Sequence, residues 1–206
     1  MKPGVRALGV AESYAGRDRP GEDVRSTLAG AVVRADRVLD GLAFDTCTVG
    51  GTDATDAVAR LWSDLNRPDV RYLLLAGVAP AWYNLLDLGA LHDRTDRPVL
   101  AVTFEPSDEP LSDALARAFS GAALDARLET FERLPPRSRL RVNDQVVFVR
   151  SVGCGAGEAR DVVRAFTPEG GRPEPLRVAR LAARAGRELI QRRRGPGAES
   201  EGGAGP

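Results

Sequence analysis

Apolar side chains open the chain in short dense runs and later recur at helical spacing. Residues 5–11 (VRALGVA), 27–33 (TLAGAVV) and 38–48 (VLDGLAFDTCT) predict three strands. Only Arg34-Ala35-Asp36-Arg37 links the second to the third, and so short a link favours an antiparallel pair. Residues 12–25 are polar, with Gly16, Pro20 and Gly21, and read as a loop. Gly50 and Gly51 break the third strand. Ala57, Val58, Leu61, Trp62 and Leu65 then predict an amphipathic helix over 53–65, capped by Thr52 or Asp53.

Residues 71–77 (RYLLLAG) form a nearly continuous apolar run, as expected at the centre of a covered sheet. A helix over 83–94 and a strand over 98–103 follow. Helices are predicted near 108–119 and 124–133, a hairpin at 138–142 and 145–151 turning at Asn143-Asp144, and helices at 156–166 and 175–193. Hairpins first and crossovers later give an α/β fold. Its mixed sheet has three antiparallel strands, then parallel strands with crossover helices, and helices on both faces. Residues 1–194 read as one domain, and 195–206 (GPGAESEGGAGP) as a disordered tail.

Composition narrows the function classes. No run of about 18 apolar residues exists, and the N-terminus lacks a signal peptide's apolar region, so a cytoplasmic location and no membrane partner are expected. Formal net charge is zero, so the chain as a whole does not attract nucleic acid. Lys2 is the only lysine, leaving 28 of the 29 basic residues as arginine. Cys47 and Cys154 lack metal-ligand spacing and read as buried thiols. His92 is the only histidine and reads as a surface residue, so no histidine-paired nucleophile is available.

Three groups carry candidate chemistry. Glu12-Ser13 leave the first strand, Thr52 to Asp56 open the first long helix, and Trp82 to Asp87 follow the apolar strand. In open α/β sheets ligands bind beyond the carboxyl ends of parallel strands, where these groups gather. Glu12, Asp53 and Asp56 are candidate ligands for Mg²⁺, with Asp87 a further catalytic carboxylate. Ordinary structural roles compete: capping or dipole contacts for Asp53 and Asp56, an edge ion pair for Glu12, and helix starts for Asn84 and Asp87. Asn84 and Asp87 are three apart, which predicts one shared helix face. Trp82 and Tyr83 are either rim packing or stacking surfaces. On the last helix Arg177, Arg180, Arg184, Arg187 and Arg194 follow three- and four-residue steps, either as a solvated face or as a phosphate-contacting stripe.

Four stretches in order, Lys2 to Ser13, Val49 to Asp56, Ala81 to Asp87 and Pro173 to Ala179, resemble an archaeal family of uncharacterised proteins, domain of unknown function ninety-nine. That family is similar to endonuclease V, a Mg²⁺-dependent nuclease acting at deaminated purines. The resemblance implies a ribonuclease H-like fold, in agreement with the strand order. It also implies metal ligands on the first strand, near the first long helix and at the tip of the central strand, with a histidine stretch beyond. Here those positions fall at Ala11 or Glu12, at Asp53 or Asp56, at Ala76, and at Trp82-Tyr83-Asn84. Alanine cannot hold a metal, so the expectation is a nucleic-acid-binding protein with a remodelled nuclease site. An active Mg²⁺-dependent phosphodiesterase and a domain binding a small nucleotide or a protein partner are the alternatives.

Overall fold

A computed structural model describes residues 1–14, 24–104 and 110–194, with the Arg194 side chain outside the described set. The expected tail at 195–206, most of the expected loop at 12–25, and the start of the helix expected at 108 also lie outside the described residues.

Seven strands form one sheet: β1 (Arg6–Ser13), β2 (Arg25–Arg34), β3 (Leu39–Thr48), β4 (Val70–Leu75), β5 (Val99–Thr103), β6 (Ser138–Val142) and β7 (Gln145–Val152). Their order is β3-β2-β1-β4-β5-β7-β6. The β1, β4 and β5 strands are parallel, and every other neighbouring pair is antiparallel. The helices are α1 (Ala54–Leu65), the single turn α2 (Pro80–Tyr83), α3 (Leu88–Thr95), α4 (Leu111–Ala118), α5 (Ala122–Glu132), α6 (Ala156–Ala165) and α7 (Glu174–Arg194).

Alternation along the strands sorts two faces. Leu8, Val10, Leu28, Val32, Leu73 and Leu75 face α1 and α3, burying Val58, Leu61, Leu88 and Leu91. Tyr72, Leu74, Leu100 and Val102 face α6. On β1 and β2 that second face is made of Ala7, Gly9, Ala11, Ala29 and Ala31, and α7 lies close against it. A Cβ on Gly9 would stand 2.3 Å from the carbonyl carbon of Pro175, so this close approach requires glycine.

One expected helix is broken. In place of 83–94 the chain makes α2, then non-helical backbone from Asn84 to Asp87, and α3 begins only at Leu88. Ala81, Trp82 and Tyr83 have φ of 47°, 55° and 62°, a left-handed run without a glycine. Each such residue costs on the order of 1 kcal/mol, so the surroundings must impose the turn. Asn84 and Asp87 therefore do not share a helix face.

Candidate functional site at the carboxyl edge of the sheet

Parallel strands β1, β4 and β5 end on one edge, where β2 begins and β3 ends. Glu12, one residue from the end of β1, accepts a 2.5 Å hydrogen bond from the Ser26 hydroxyl on β2. Ser26 pairs with Cys47 on β3. Burial pushes the Cys47 thiol up to about 12, with the Asp53 and Glu12 carboxylates adding to it, so the thiol is no nucleophile. Cys154 is half-buried, more open than expected, and burial raises its thiol too.

Asp53 precedes α1 but does not cap it. Its carboxylate turns back to accept from the Thr48 backbone N–H at 2.9 Å, the Thr48 hydroxyl at 2.9 Å, Asn84 Nδ2 at 2.7 Å and Arg25 at 3.1 Å. The cap comes from 30 residues away: Asn84 Oδ1 accepts from the Ala54 N–H at 2.9 Å. Asn84 is fully buried and also donates to the Thr48 carbonyl at 2.8 Å. Burial works to raise the Asp53 carboxyl, but hydrogen bonds from Thr48 and Asn84 outweigh it and hold it below its usual range.

That direction fixes a pH dependence. A carboxyl with a depressed folded pKa stabilises the protein above its unfolded value, about 3.9. The contribution disappears as pH falls through the folded value. Replacing Asp53 with Asn is expected to flatten the acid limb of stability below about pH 4, read by denaturant titration at several pH values. An unchanged acid limb would contradict the assignment.

The other two carboxylates stand apart from this group. Asp56 is exposed and paired with Arg94 at 2.5 Å. Asp87 caps α3 by accepting from the Ala90 N–H at 2.9 Å, and it pairs with Arg133 at 3.2 Å. Asp56, Asp87, Arg94 and Arg133 line one shallow depression, an ionic lattice of alternating sign. Among the described residues no three His, Cys, Asp or Glu side chains converge as metal ligands. Among the described residues Glu12, Asp53 and Asp56 are not gathered as Mg²⁺ ligands: both Asp53 oxygens serve backbone, hydroxyl, amide and guanidinium donors, Glu12 holds Ser26, and Asp56 holds Arg94.

Sequence reasoning missed Arg127. It is 4% exposed and sits on α5 without a carboxylate partner among the described residues. It donates to the carbonyls of Gly50 at 2.5 Å, Gly51 at 2.9 Å, Tyr83 at 3.2 Å and Ala123 at 2.7 Å. Its guanidinium carbon lies 3.7 Å from the Phe119 ring centroid. Burial lowers its pKa, without displacing its charge at neutral pH. Arg127 thereby clamps the left-handed turn to the β3–α1 connection. Trp82 stays 37% exposed at the tip of that turn, its ring edge-on to Tyr83 at 5.6 Å and to Phe119 at 4.9 Å.

The stripe on α7 is divided. Arg177 is held by Glu174 at 2.5 Å, in a depression lined by Arg37 and Glu169, and does not join the others. Arg180 is exposed and lines a cleft at the ends of β4 and β5, and Arg184 is exposed one turn further. Arg187 is half-buried and donates to the Tyr14 carbonyl, just past β1, at 3.3 Å. The Arg180 cleft also holds Ala76, the strand-tip position where no acid was expected, together with Arg137, Arg150 and Arg172. No signal in the sequence ties those arginines together, because they come from four separate segments. His92 is half-buried, its Nδ1 2.8 Å from the Arg97 carbonyl, and takes no part.

Residues 3–186 match the family described as endonuclease dU. A UPF0215 protein of Pyrobaculum calidifontis is 35% identical over 187 residues, covering 90% of this chain and 99% of that protein. The crystal structure of an Archaeoglobus fulgidus protein of unknown function superposes with a TM-score of 0.75 at 24% identity, over 88% of this chain and 97% of that one. Endonuclease V of Ciona intestinalis, solved with a 24mer DNA containing an inosine followed by a ribo-adenosine, gives a TM-score of 0.56 at 12% identity, over 90% and 87%. At such identities these structures establish the fold, the ribonuclease H-like type of endonuclease V.

Proposed function

The chain belongs to the endonuclease dU family, and from that premise we propose that it binds DNA carrying dU along the carboxyl edge of its sheet. The observation that carries the reading is the cationic row on α7: Arg180 stands by the ends of β4 and β5, Arg184 is exposed, and Arg187 reaches the end of β1. Such a row offers guanidinium groups to backbone phosphates, and it acts locally in a chain of zero net charge. Exposed Trp82 offers a ring for an unstacked base. No helix among the described residues is long and apolar enough to cross a membrane.

Neutralising Arg180 and Arg184 together by glutamine is expected to weaken binding of a dU-containing duplex about tenfold at low salt. The slope of log affinity against log salt should become shallower by about 2. Fluorescence anisotropy across a salt series measures both, and binding indifferent to salt or to these substitutions would overturn the reading.

Metal-dependent cleavage is the second reading. It is favoured by Glu12 and Asp53 meeting adjacent residues of β2 from distant stretches of chain, Glu12 through Ser26 and Asp53 through Arg25. The described carboxylates do not form a divalent-cation site, so no cleavage step is derived from them. Incubating dU- and inosine-containing strands with Mg²⁺ or Mn²⁺ separates the readings. Cleavage abolished by both Glu12→Gln and Asp53→Asn would establish the second.

A further inference from the structure

β3 is an edge strand, and its outer side is open only in part. From Gly41 to Thr48 its register with β2 is regular, so alternate residues turn their backbone groups outward. The Thr46 N–H is one of these and is taken by the Asp45 carboxylate at 2.7 Å, and the Thr48 N–H is taken by Asp53 at 2.9 Å. At the other end Arg67 donates to the Asp40 carbonyl at 2.6 Å. Among the described residues, Leu42 and Phe44 are the positions between these blocks whose N–H and C=O groups face the open edge.

The same stretch is apolar. Leu39, Leu42 and Phe44 pair with Val33, Ala31 and Ala29 of β2, so they share the α7 face, and with Val38 beside them they stand about half exposed. Phe44 lies against α7 at Gly186, where a Cβ would stand 3.2 Å from its ring. Ile190 comes seven residues after the buried Ala183 and so points to the sheet side, yet it is 38% exposed, and Leu189 is exposed beside it. The end of α7 therefore overhangs the edge of the sheet. These six side chains leave roughly 500 Å² of apolar surface, toward the upper end of what a monomer shows in one patch. Residues 15–23, 105–109 and 195–206, outside the described set, contain no Val, Leu, Ile, Met, Phe, Tyr or Trp and so bring it no apolar cover.

We propose that this edge pairs with a second copy of the chain, β3 against β3, antiparallel about a two-fold axis at Ala43. The open groups set the register. Leu42 of each copy stands opposite Phe44 of the other, and each such pair exchanges two backbone hydrogen bonds. A neighbouring register sets an open residue against Thr46 or Asp40, whose groups are already spent, or turns inward-pointing groups to the second copy. Leucine against phenylalanine is a favourable cross-strand pair, and from Gly41 to Asp45 no like charges are opposed. The same register brings Leu39 of one copy level with Cys47 of the other, the end toward which α7 overhangs, so Leu189 and Ile190 reach toward the second copy's Val38 and Leu39. Roughly 1,000 Å² of surface buried across both copies meets the least a specific interface needs, which gives micromolar association. A chain of zero net charge meets no overall repulsion from its own copy. Arg180 and Arg184 project from the other flank of α7 and stay free, so the pairing does not depend on the nucleic-acid reading.

Analytical ultracentrifugation of the full chain, from low to high micromolar concentration, tests it, and a monomer–dimer equilibrium is expected. Phe44→Glu and Leu42→Lys should each weaken dimerisation about tenfold or more, with the circular dichroism spectrum and duplex binding retained. Mixing the two variants should restore pairing, because the register sets the new carboxylate against the new ammonium. Ala43→Cys in a Cys154→Ser background should crosslink to its own copy on mild oxidation, since the axis brings the two side chains face to face. Thr46→Cys in the same background, set away from the axis, should not. A chain that stays monomeric throughout, a dimer unchanged by both charge substitutions, or crosslinking through Thr46→Cys in preference to Ala43→Cys overturns the proposal. Because duplex binding is read separately through Arg180 and Arg184, loss of either reading leaves the other standing.

Discussion

Replacing Arg127 with methionine is expected to destabilise the protein by about 3–5 kcal/mol. The guanidinium is 4% exposed and donates to four backbone carbonyls on three segments: Gly50 and Gly51, Tyr83, and Ala123. Methionine fills much of the volume and supplies no donor. The Gly50, Gly51 and Tyr83 carbonyls then lose their ties to α5, each unsatisfied buried acceptor costing about 1–3 kcal/mol. The contact with the Phe119 ring goes as well, worth about 0.5–2 kcal/mol.

The same clamp supports the left-handed backbone at Ala81, Trp82 and Tyr83. Without it that run relaxes toward ordinary φ, and Trp82 leaves its edge-on contact with Phe119. Urea denaturation reads the first effect, and tryptophan emission under native conditions reads the second. Lysine at 127 keeps the charge but not the fork of donors, and should recover little. A loss below about 1 kcal/mol for methionine would mean that the carbonyls find other donors and that the turn has another support.

How far the sequence reveals this site depends on which forces make it. The strands are legible because alternation is written in adjacent residues: Leu8 and Val10 on one face, Ala7, Gly9 and Ala11 on the other. The carboxyl edge follows from strand order, and so does the neighbourhood of Glu12 and Asp53. Three features do not follow. Arg127 sits on a helix among charged and small residues and looks like one more solvated cation, yet it is buried by contacts 44 and 77 residues away. The turn at 81–83 carries none of the glycine or asparagine that usually marks positive φ. The cleft's arginines converge only once β5, β6, β7 and α7 are assembled. All three depend on tertiary partners, which override local propensity and leave no periodicity to read.

Asn84 joins these levels, and its loss gives the second large expected effect. The side chain is fully buried and makes three hydrogen bonds of 2.7–2.9 Å: from the Ala54 N–H, to the Thr48 carbonyl and to Asp53 Oδ1. Alanine at 84 leaves the α1 N-terminus uncapped, at about 1 kcal/mol, and takes a donor from the Asp53 carboxylate, at about 1.5–3 kcal/mol, while the Thr48 carbonyl keeps the Gly51 N–H. A total near 3 kcal/mol is expected from denaturant unfolding, roughly additive only if the end of β3 does not shift. Aspartate at 84 sharpens the test. It keeps the acceptor for Ala54 but turns a donor into a second carboxylate beside Asp53. At neutral pH it should be worse than alanine. Like charges raise carboxyl pKa values above the usual 3.9 or so, so the aspartate variant should regain stability relative to alanine as pH falls toward that value. An aspartate variant as stable as wild type at neutral pH would show that Asp53 does not face Asn84, and the network at the mouth of the sheet would have to be redrawn.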